Sequence, residues 1–109
     1  MKIHVIEDDK AVADSLRLLL VQMGYEVAVY HDGRSFRAAP LATGDRVILD
    51  LKLPDVSGAE LLDECENRGA PVIVMTGQSL SAIKREIPDF DPGRIIRKPV
   101  SPEDLAAVL

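Results

Sequence analysis

The sequence has few of the features that would point to secretion, membrane insertion or nucleic-acid binding. Its single cysteine, Cys65, cannot form a disulfide within the chain, so we expect a reducing compartment, the cytoplasm. No run of about 18 apolar residues is present, which argues against a membrane-spanning helix. The formal net charge of -5 argues against a nucleic-acid interface, because such an interface needs a basic surface.

The size and composition predict one globular domain. The 109 residues can bury a substantial core but are too few for two domains. Hydrophobic residues make up 47% and charged residues 28% of the chain, as in ordinary soluble domains. We expect the domain to span residues 1–109. Its last helix has room for about two turns before Leu109, so two explanations stay open: a domain cut within that helix, or a compact natural form.

Five short apolar segments, most of them rich in β-branched residues, are predicted to be strands. They lie at 2–6, 25–30, 46–50, 71–76 and 94–98. Helical segments separate them: Leu16 and Leu20 have helical spacing, and Ser57 with Glu60 three residues later has the pattern of a capping box. Strands that alternate with helices predict a parallel sheet covered by helices on both faces.

Polar side chains occur where four of the predicted strands end. Glu7 and Asp8 follow the first strand, Asp50 ends the third, Thr76 ends the fourth and Lys98 ends the fifth. The carboxyl ends of parallel strands share one edge of the sheet, and ligands bind there. We therefore expect these five side chains to lie close together.

The chemistry of this group is that of phosphoryl transfer. Asp50 at a buried strand end is costly to desolvate without a partner, and three neighbouring carboxylates repel one another. A lysine and a hard cation such as Mg²⁺ offset that cost. A nucleophile, a metal site and a positive clamp for oxygens are what phosphoryl transfer needs. Asp50 is the predicted nucleophile, forming an aspartyl phosphate.

Four motifs resemble the receiver domain of two-component response regulators, the CheY-like family. They are IEDD after the first strand, LDLKLPDVSG around Asp50, VMTG at the fourth strand and RKP at the fifth. The resemblance covers essentially the whole chain, and the motifs stand in the family's order. It implies a flavodoxin-like, doubly wound, five-stranded parallel sheet in the strand order 2-1-3-4-5.

The resemblance also implies a phosphoryl donor and a metal site. Asp50 would accept a phosphoryl group from the phosphohistidine of a histidine kinase or a histidine phosphotransfer domain. Mg²⁺ would be held by Asp50, by Asp8 directly, by Glu7 mostly through water, and by the backbone carbonyl of Lys52. The effector that follows in the pathway is not identified by the sequence. No nucleic acid and no membrane is an expected partner of this domain.

Three further assignments come from the same resemblance. Thr76 and Lys98 would bind the phosphoryl oxygens, and the Lys98–Pro99 peptide would be cis. The switch position, three residues before the lysine, usually carries Tyr or Phe in this family and is Ile95 here. A branched isoleucine has a stiff χ1 and no hydroxyl, so we predict that it is largely buried even without phosphate.

Two other functions stay open beside the phosphorylated receiver. One is a pseudo-receiver that only docks proteins, although the intact set of acids, threonine and lysine speaks against it. The other is a magnesium-dependent phosphatase, which usually carries a second acid two residues after its nucleophile, where this chain has Lys52. Structural roles are expected for Asp9 at the start of the first helix and for His4, His31 and Cys65.

Overall fold

Strands and helices alternate along the chain as predicted, in a computed structural model that describes all of residues 1–109. The strands are β1 (Lys2–Ile6), β2 (Glu26–Tyr30), β3 (Arg46–Asp50), β4 (Val72–Thr76) and β5 (Ile95–Arg97). The helices are α1 (Lys10–Gln22), α2 (Gly33–Arg37), α3 (Gly58–Asn67), α4 (Leu80–Glu86) and α5 (Pro102–Val108), and a 3-10 turn covers Pro92–Arg94. None of the helices combines the length and the apolar character needed to span a bilayer.

The five strands form one parallel sheet in the order β2-β1-β3-β4-β5, which confirms the predicted topology. The register places Ile6 beside Tyr30 and Leu49, so the first three strands end at the same level. Every polar residue that follows these strands is therefore delivered to one edge of the sheet.

Two apolar layers lie on opposite faces of the sheet because neighbouring strand residues point to opposite sides. On one face, α2, α3 and α4 cover a core whose fully buried members include Ile6, Phe36, Leu49, Leu61, Val74 and Ile83. On the other face, α1 and α5 cover a core that includes Ile3, Val5, Leu20, Ile48, Met75 and Leu105. All five residues of β4 are buried, which explains why its sequence is almost entirely apolar.

Helix starts follow the predicted residues, with one correction. Asp9 caps α1 by accepting from the backbone N–H groups of Ala11 and Val12. The capping box expected at Ser57 forms only by half: Ser57 Oγ accepts from Glu60 N (3.4 Å), but Glu60 is exposed and returns no bond. The complete capping box lies at α5 instead, between Ser101 and Asp104.

The last strand is shorter than predicted. Arg94 belongs to the 3-10 turn, since its N–H donates to the carbonyl of Asp91 (3.0 Å), and β5 begins only at Ile95. At its other end the backbone pairing continues past the strand, because Lys98 N donates to the carbonyl of Thr76 (2.9 Å). Lys98 is thereby held at the end of β4.

Candidate functional site

One lysine joins two buried carboxylates at the carboxyl edge of the sheet. Lys98 Nζ lies 2.5 Å from Glu7 Oε1 and 3.0 Å from Asp50 Oδ2. Glu7 is fully buried and Asp50 is 3% exposed, whereas the Lys98 side chain is 26% exposed. Glu7 follows β1, Asp50 ends β3 and Lys98 follows β5, so the parallel sheet places all three at the same edge.

Three carboxylates stand close enough to share one cation. Glu7, Asp8 and Asp50 each offer an oxygen within 4.8 Å of the others, and Asp8 is exposed. Apart from the Lys98 ammonium, Glu7 Oε1 has no hydrogen-bond partner. The Lys98 ammonium contacts Glu7 and Asp50 but not Asp8. A cluster of oxygen donors with one solvent-facing side suits Mg²⁺. The residues present therefore fit the expected metal.

The pKa values of Glu7 and Lys98 reflect this crowding. Burial, followed by the neighbouring Asp50, raises the pKa of Glu7 from 4.5 to about 7, while Lys98 partly opposes the rise. Burial lowers the pKa of Lys98, but its bonds to Glu7 and Asp50 outweigh burial, so the net pKa is raised. The lysine thus stays charged, and Glu7 holds a proton more readily than an ordinary glutamate.

The stability of the metal-free protein should therefore fall as the pH rises from about 4.5 to about 7. In that window the folded chain keeps a proton on Glu7 that the unfolded chain has lost, so folding is favoured at the acidic end. The contribution is on the order of 3 kcal/mol. Urea unfolding in EDTA across this range measures it. Glu7→Gln should remove that part of the slope, and exposed Glu60→Gln should not; equal slopes in all three proteins would contradict the assignment.

The phosphoacceptor candidate faces an open polar cleft. Lys52 N–H donates to Asp50 Oδ1 (3.0 Å), so each oxygen of this carboxylate has one protein donor. The buried Thr76 hydroxyl accepts from Gln78 N (3.1 Å). Asp50, Lys52, Thr76, Gln78 and Lys98 line a cleft of about 330 Å³ that contains no hydrophobic side chain. Asp50 forms part of the lining, so its carboxylate borders this open space.

The remaining predicted residues also have defined surroundings. The Lys98–Pro99 peptide is cis, as the resemblance implies. Ile95 is partly buried and packs against the core under α2, α3 and α4. Cys65 is fully buried, and burial raises the pKa of its thiol to about 11, which agrees with a packing role. His31 has a structural contact, because its Nδ1 donates to the carbonyl of Glu7 (3.1 Å).

One buried polar network was not predicted from the sequence. His4 Nε2 lies 2.9 Å from Asp45 Oδ2, and Nδ1 lies 3.0 Å from the Tyr30 hydroxyl. Asp45 also accepts from the backbone N–H groups of Lys2 and Ala42. All these hydrogen bonds lower the pKa of Asp45 below its ordinary value, and the bond to His4 has the largest effect. The network supports the predicted structural role of His4. A lone Asp in a turn gave no signal for it.

A match to a protein-family model identifies the kind of domain that carries this site. The pattern described as "Response regulator receiver domain" matches residues 3–109. The chain belongs to this family. Together with the strand order and the acidic cluster, membership makes it a receiver domain of two-component signal transduction.

Relatives and solved structures agree with this placement. The transcriptional regulatory protein FixJ of Azorhizobium caulinodans is 39% identical over 99 residues, covering 83% of this chain and 46% of that protein. The structure of response regulator DrrB, a Thermotoga maritima OmpR/PhoB homologue, has a TM-score of 0.81 at 30% identity, covering 97% of this chain and 49% of that one. Vibrio cholerae CheY4 shares the fold, with a TM-score of 0.81 at 24% identity and coverages of 96% and 92%. The chain spans about half the length of the curated relatives it matches.

Proposed function

We propose that this receiver accepts a phosphoryl group on Asp50 in a Mg²⁺-dependent reaction. One observation carries the proposal: a buried carboxylate lies between the Lys52 N–H and the Lys98 ammonium, beside two further acids. Two further carboxylates beside an aspartate would not be expected if that aspartate had only a structural role. Such an arrangement is instead suited to a cation and to a transferring phosphoryl group.

The chemistry assigns a task to each group. A carboxylate oxygen of Asp50 forms the new bond to phosphorus while the P–N bond of a phosphohistidine breaks and its electron pair returns to the imidazole. Lys98 and Thr76 bind the phosphoryl oxygens that carry the developing charge. Glu7, Asp8, Asp50 and the Lys52 carbonyl would hold Mg²⁺, which when bound neutralises negative charge on the phosphoryl oxygens.

The proposed donor is the phosphohistidine of a histidine kinase or a histidine phosphotransfer domain, working in the cytoplasm. A groove of about 560 Å³ beside the acceptor suits the helix that would carry that histidine. Its walls are mostly apolar, and they come from Val12 and Leu16 of α1 and from the segment 98–100. Lys98 lines both this groove and the polar cleft, so the groove lies next to the cleft. Leu18, also on α1, is a large apolar side chain that is 58% exposed.

The first test uses a small phosphodonor in place of the kinase. Incubated with acetyl phosphate and Mg²⁺, the protein should gain one acid-stable, base-labile phosphoryl group, detected by intact-mass spectrometry. In EDTA the gain should disappear. A protein that stays unmodified at saturating Mg²⁺ would favour the pseudo-receiver, which only docks partners, and release of free phosphate from many phosphomonoesters would favour a phosphatase.

Asp8 is the acid whose replacement separates metal binding from folding. Asp8→Asn removes a ligand and also relieves repulsion within the cluster, and these effects act on different measurements. We expect Mg²⁺ affinity to fall about tenfold or more, while the metal-free protein is as stable as the wild type or slightly more so. Calorimetric titration and urea unfolding measure the two quantities.

Asp9→Asn is the matched control for this variant. Asp9 is the next acid in the chain, but it caps α1 and lies outside the acidic cluster, and asparagine is also a good cap. Its Mg²⁺ affinity should equal that of the wild type. Unchanged affinity in Asp8→Asn would refute the ligand assignment.

The switch is proposed to work through Thr76, with Ile95 changing little. Ile95 is partly buried and already packs against the core, so less of its side chain is left to be covered in a second state. We expect beryllofluoride, which mimics the phosphoryl group, to shift amide resonances mainly at 76–82 and 8–20. Shifts concentrated at 94–109 would show that Ile95 and its surroundings carry the signal.

A further inference from the structure

The loop that follows Asp50 is fastened to the start of α2 by one carboxylate. Asp55 Oδ1 accepts from Gly33 N and Asp55 Oδ2 accepts from Arg34 N, each at 2.9 Å. Both bonds lower the pKa of Asp55, and the bond from Gly33 has the larger effect, so the carboxyl group is ionised at neutral pH. The partners lie 22 and 21 residues away in sequence, so the contact links two separate parts of the fold.

A close packing contact lies at the same place. A β-carbon on Gly33 would lie 2.1 Å from Val56 Cγ2, so only glycine lets α2 approach the loop this closely. At the base of the loop, Gly58 meets the backbone of Leu51 in the same way, with a β-carbon 2.5 Å from the Leu51 carbonyl oxygen. Both the tip and the base of loop 52–57 are therefore held.

The start of α2 is in turn fixed to the loop that carries the other two acids. His31 Nδ1 donates to the carbonyl of Glu7 (3.1 Å), and Glu7 N donates to the carbonyl of Tyr30 (2.9 Å). Residues 31–34, which we call the α2 anchor, thus contact both loop 52–57 and the loop after β1 that carries Glu7 and Asp8. None of the side chains in this anchor belongs to the acidic cluster itself.

We infer that Asp55 is a positioning residue of the metal site. By holding loop 52–57 against the α2 anchor, it sets where Lys52 stands relative to the Glu7 loop. Lys52 matters twice, because its N–H bonds Asp50 Oδ1 and its carbonyl is the proposed backbone ligand. This inference rests on the proposed function, since it concerns the site that would hold Mg²⁺.

The experiment compares two variants that weaken the same helix start. Asp55→Ala removes the link between α2 and the loop. Asp32→Ala removes the N-cap of α2, where Asp32 Oδ1 accepts from Ser35 N (2.7 Å), but leaves the Asp55 link in place. Two quantities are measured on the whole protein: Mg²⁺ affinity by titration calorimetry, and exchange of the Lys52 amide proton in EDTA by NMR.

Asp55→Ala should bind Mg²⁺ on the order of tenfold more weakly and exchange the Lys52 amide faster, and Asp32→Ala should do neither. Asp55→Asn keeps one acceptor oxygen and should recover part of the affinity. Equal losses in Asp55→Ala and Asp32→Ala would mean that only the stability of α2 matters and would overturn the inference, as would an unchanged affinity in Asp55→Ala. A wild-type protein that fails to bind Mg²⁺ would overturn the proposed function as well, so the two failures are distinguishable.

Discussion

Asp50→Asn should take up no phosphoryl group from acetyl phosphate under conditions in which the wild type is fully modified. The amide keeps the size of the side chain and an oxygen for the Lys52 N–H, but its oxygen is a poor nucleophile and cannot form a stable acyl phosphate. We expect labelling to fall at least about a hundredfold, because the change removes the reacting atom and not a supporting contact. Intact-mass spectra over a time course give both the extent and the rate.

The control for this variant is Asp63→Asn on the exposed side of α3. It makes the same chemical change far from the cleft and should label like the wild type. Thermal unfolding shows whether Asp50→Asn is folded; Glu7 still faces Lys98 in this variant, so we expect a native transition. Full labelling of a folded Asp50→Asn would place the acceptor elsewhere, and the exposed Asp8 would be the next residue to test.

The meeting of Glu7, Asp50, Thr76 and Lys98 was predictable because it follows from a rule of topology. Strands in one parallel sheet end at one edge, so residues far apart in sequence must meet there once the strands are recognised. The structure bears this out with one ammonium in contact with two of the acids. Their roles in catalysis remain predictions, since they depend on how a phosphoryl group and a cation enter.

Contacts between loops could not be predicted in the same way. Asp55 meets Gly33 and Arg34 because of the path that two loops take in space, and no periodic pattern in the sequence records that path. The His4–Asp45 pair was missed for a related reason: nothing in a strand histidine and a turn aspartate indicates that they point at each other. Local motifs predict local structure, but they do not predict which residues far apart in sequence contact each other in the packed fold.

Boundaries were less predictable than the elements themselves. Arg94 fits a strand by its neighbours, yet Asp91 caps a 3-10 turn that includes it, through a bond from Gly93 N to Asp91 Oδ1 (2.9 Å). A capping aspartate four residues before a strand competes with the strand for the same backbone. The sequence pattern alone does not decide which hydrogen bonds form.

Lys98→Met should destabilise the metal-free protein strongly at pH 8 and only slightly at pH 5.5. The substitution leaves the buried Glu7 and Asp50 facing each other without their cation. Breaking a buried ion pair costs about 3 to 5 kcal/mol, and since Lys98 is partly exposed we expect about 2 to 3 kcal/mol at pH 8. Glu7 has a pKa of about 7 even with the lysine present, so at pH 5.5 it holds a proton and the cost shrinks.

Urea unfolding in EDTA at the two pH values measures this difference. The control is Lys84→Met, because Lys84 is exposed and forms no ion pair. Its free energy of unfolding should change by less than about 0.5 kcal/mol at either pH. Added Mg²⁺ should stabilise Lys98→Met more than the wild type, because the metal then replaces the only cation that faced the acids. An equal loss at pH 8 and pH 5.5 would mean that Lys98 acts through packing of its stem, and the electrostatic account of the site would be wrong.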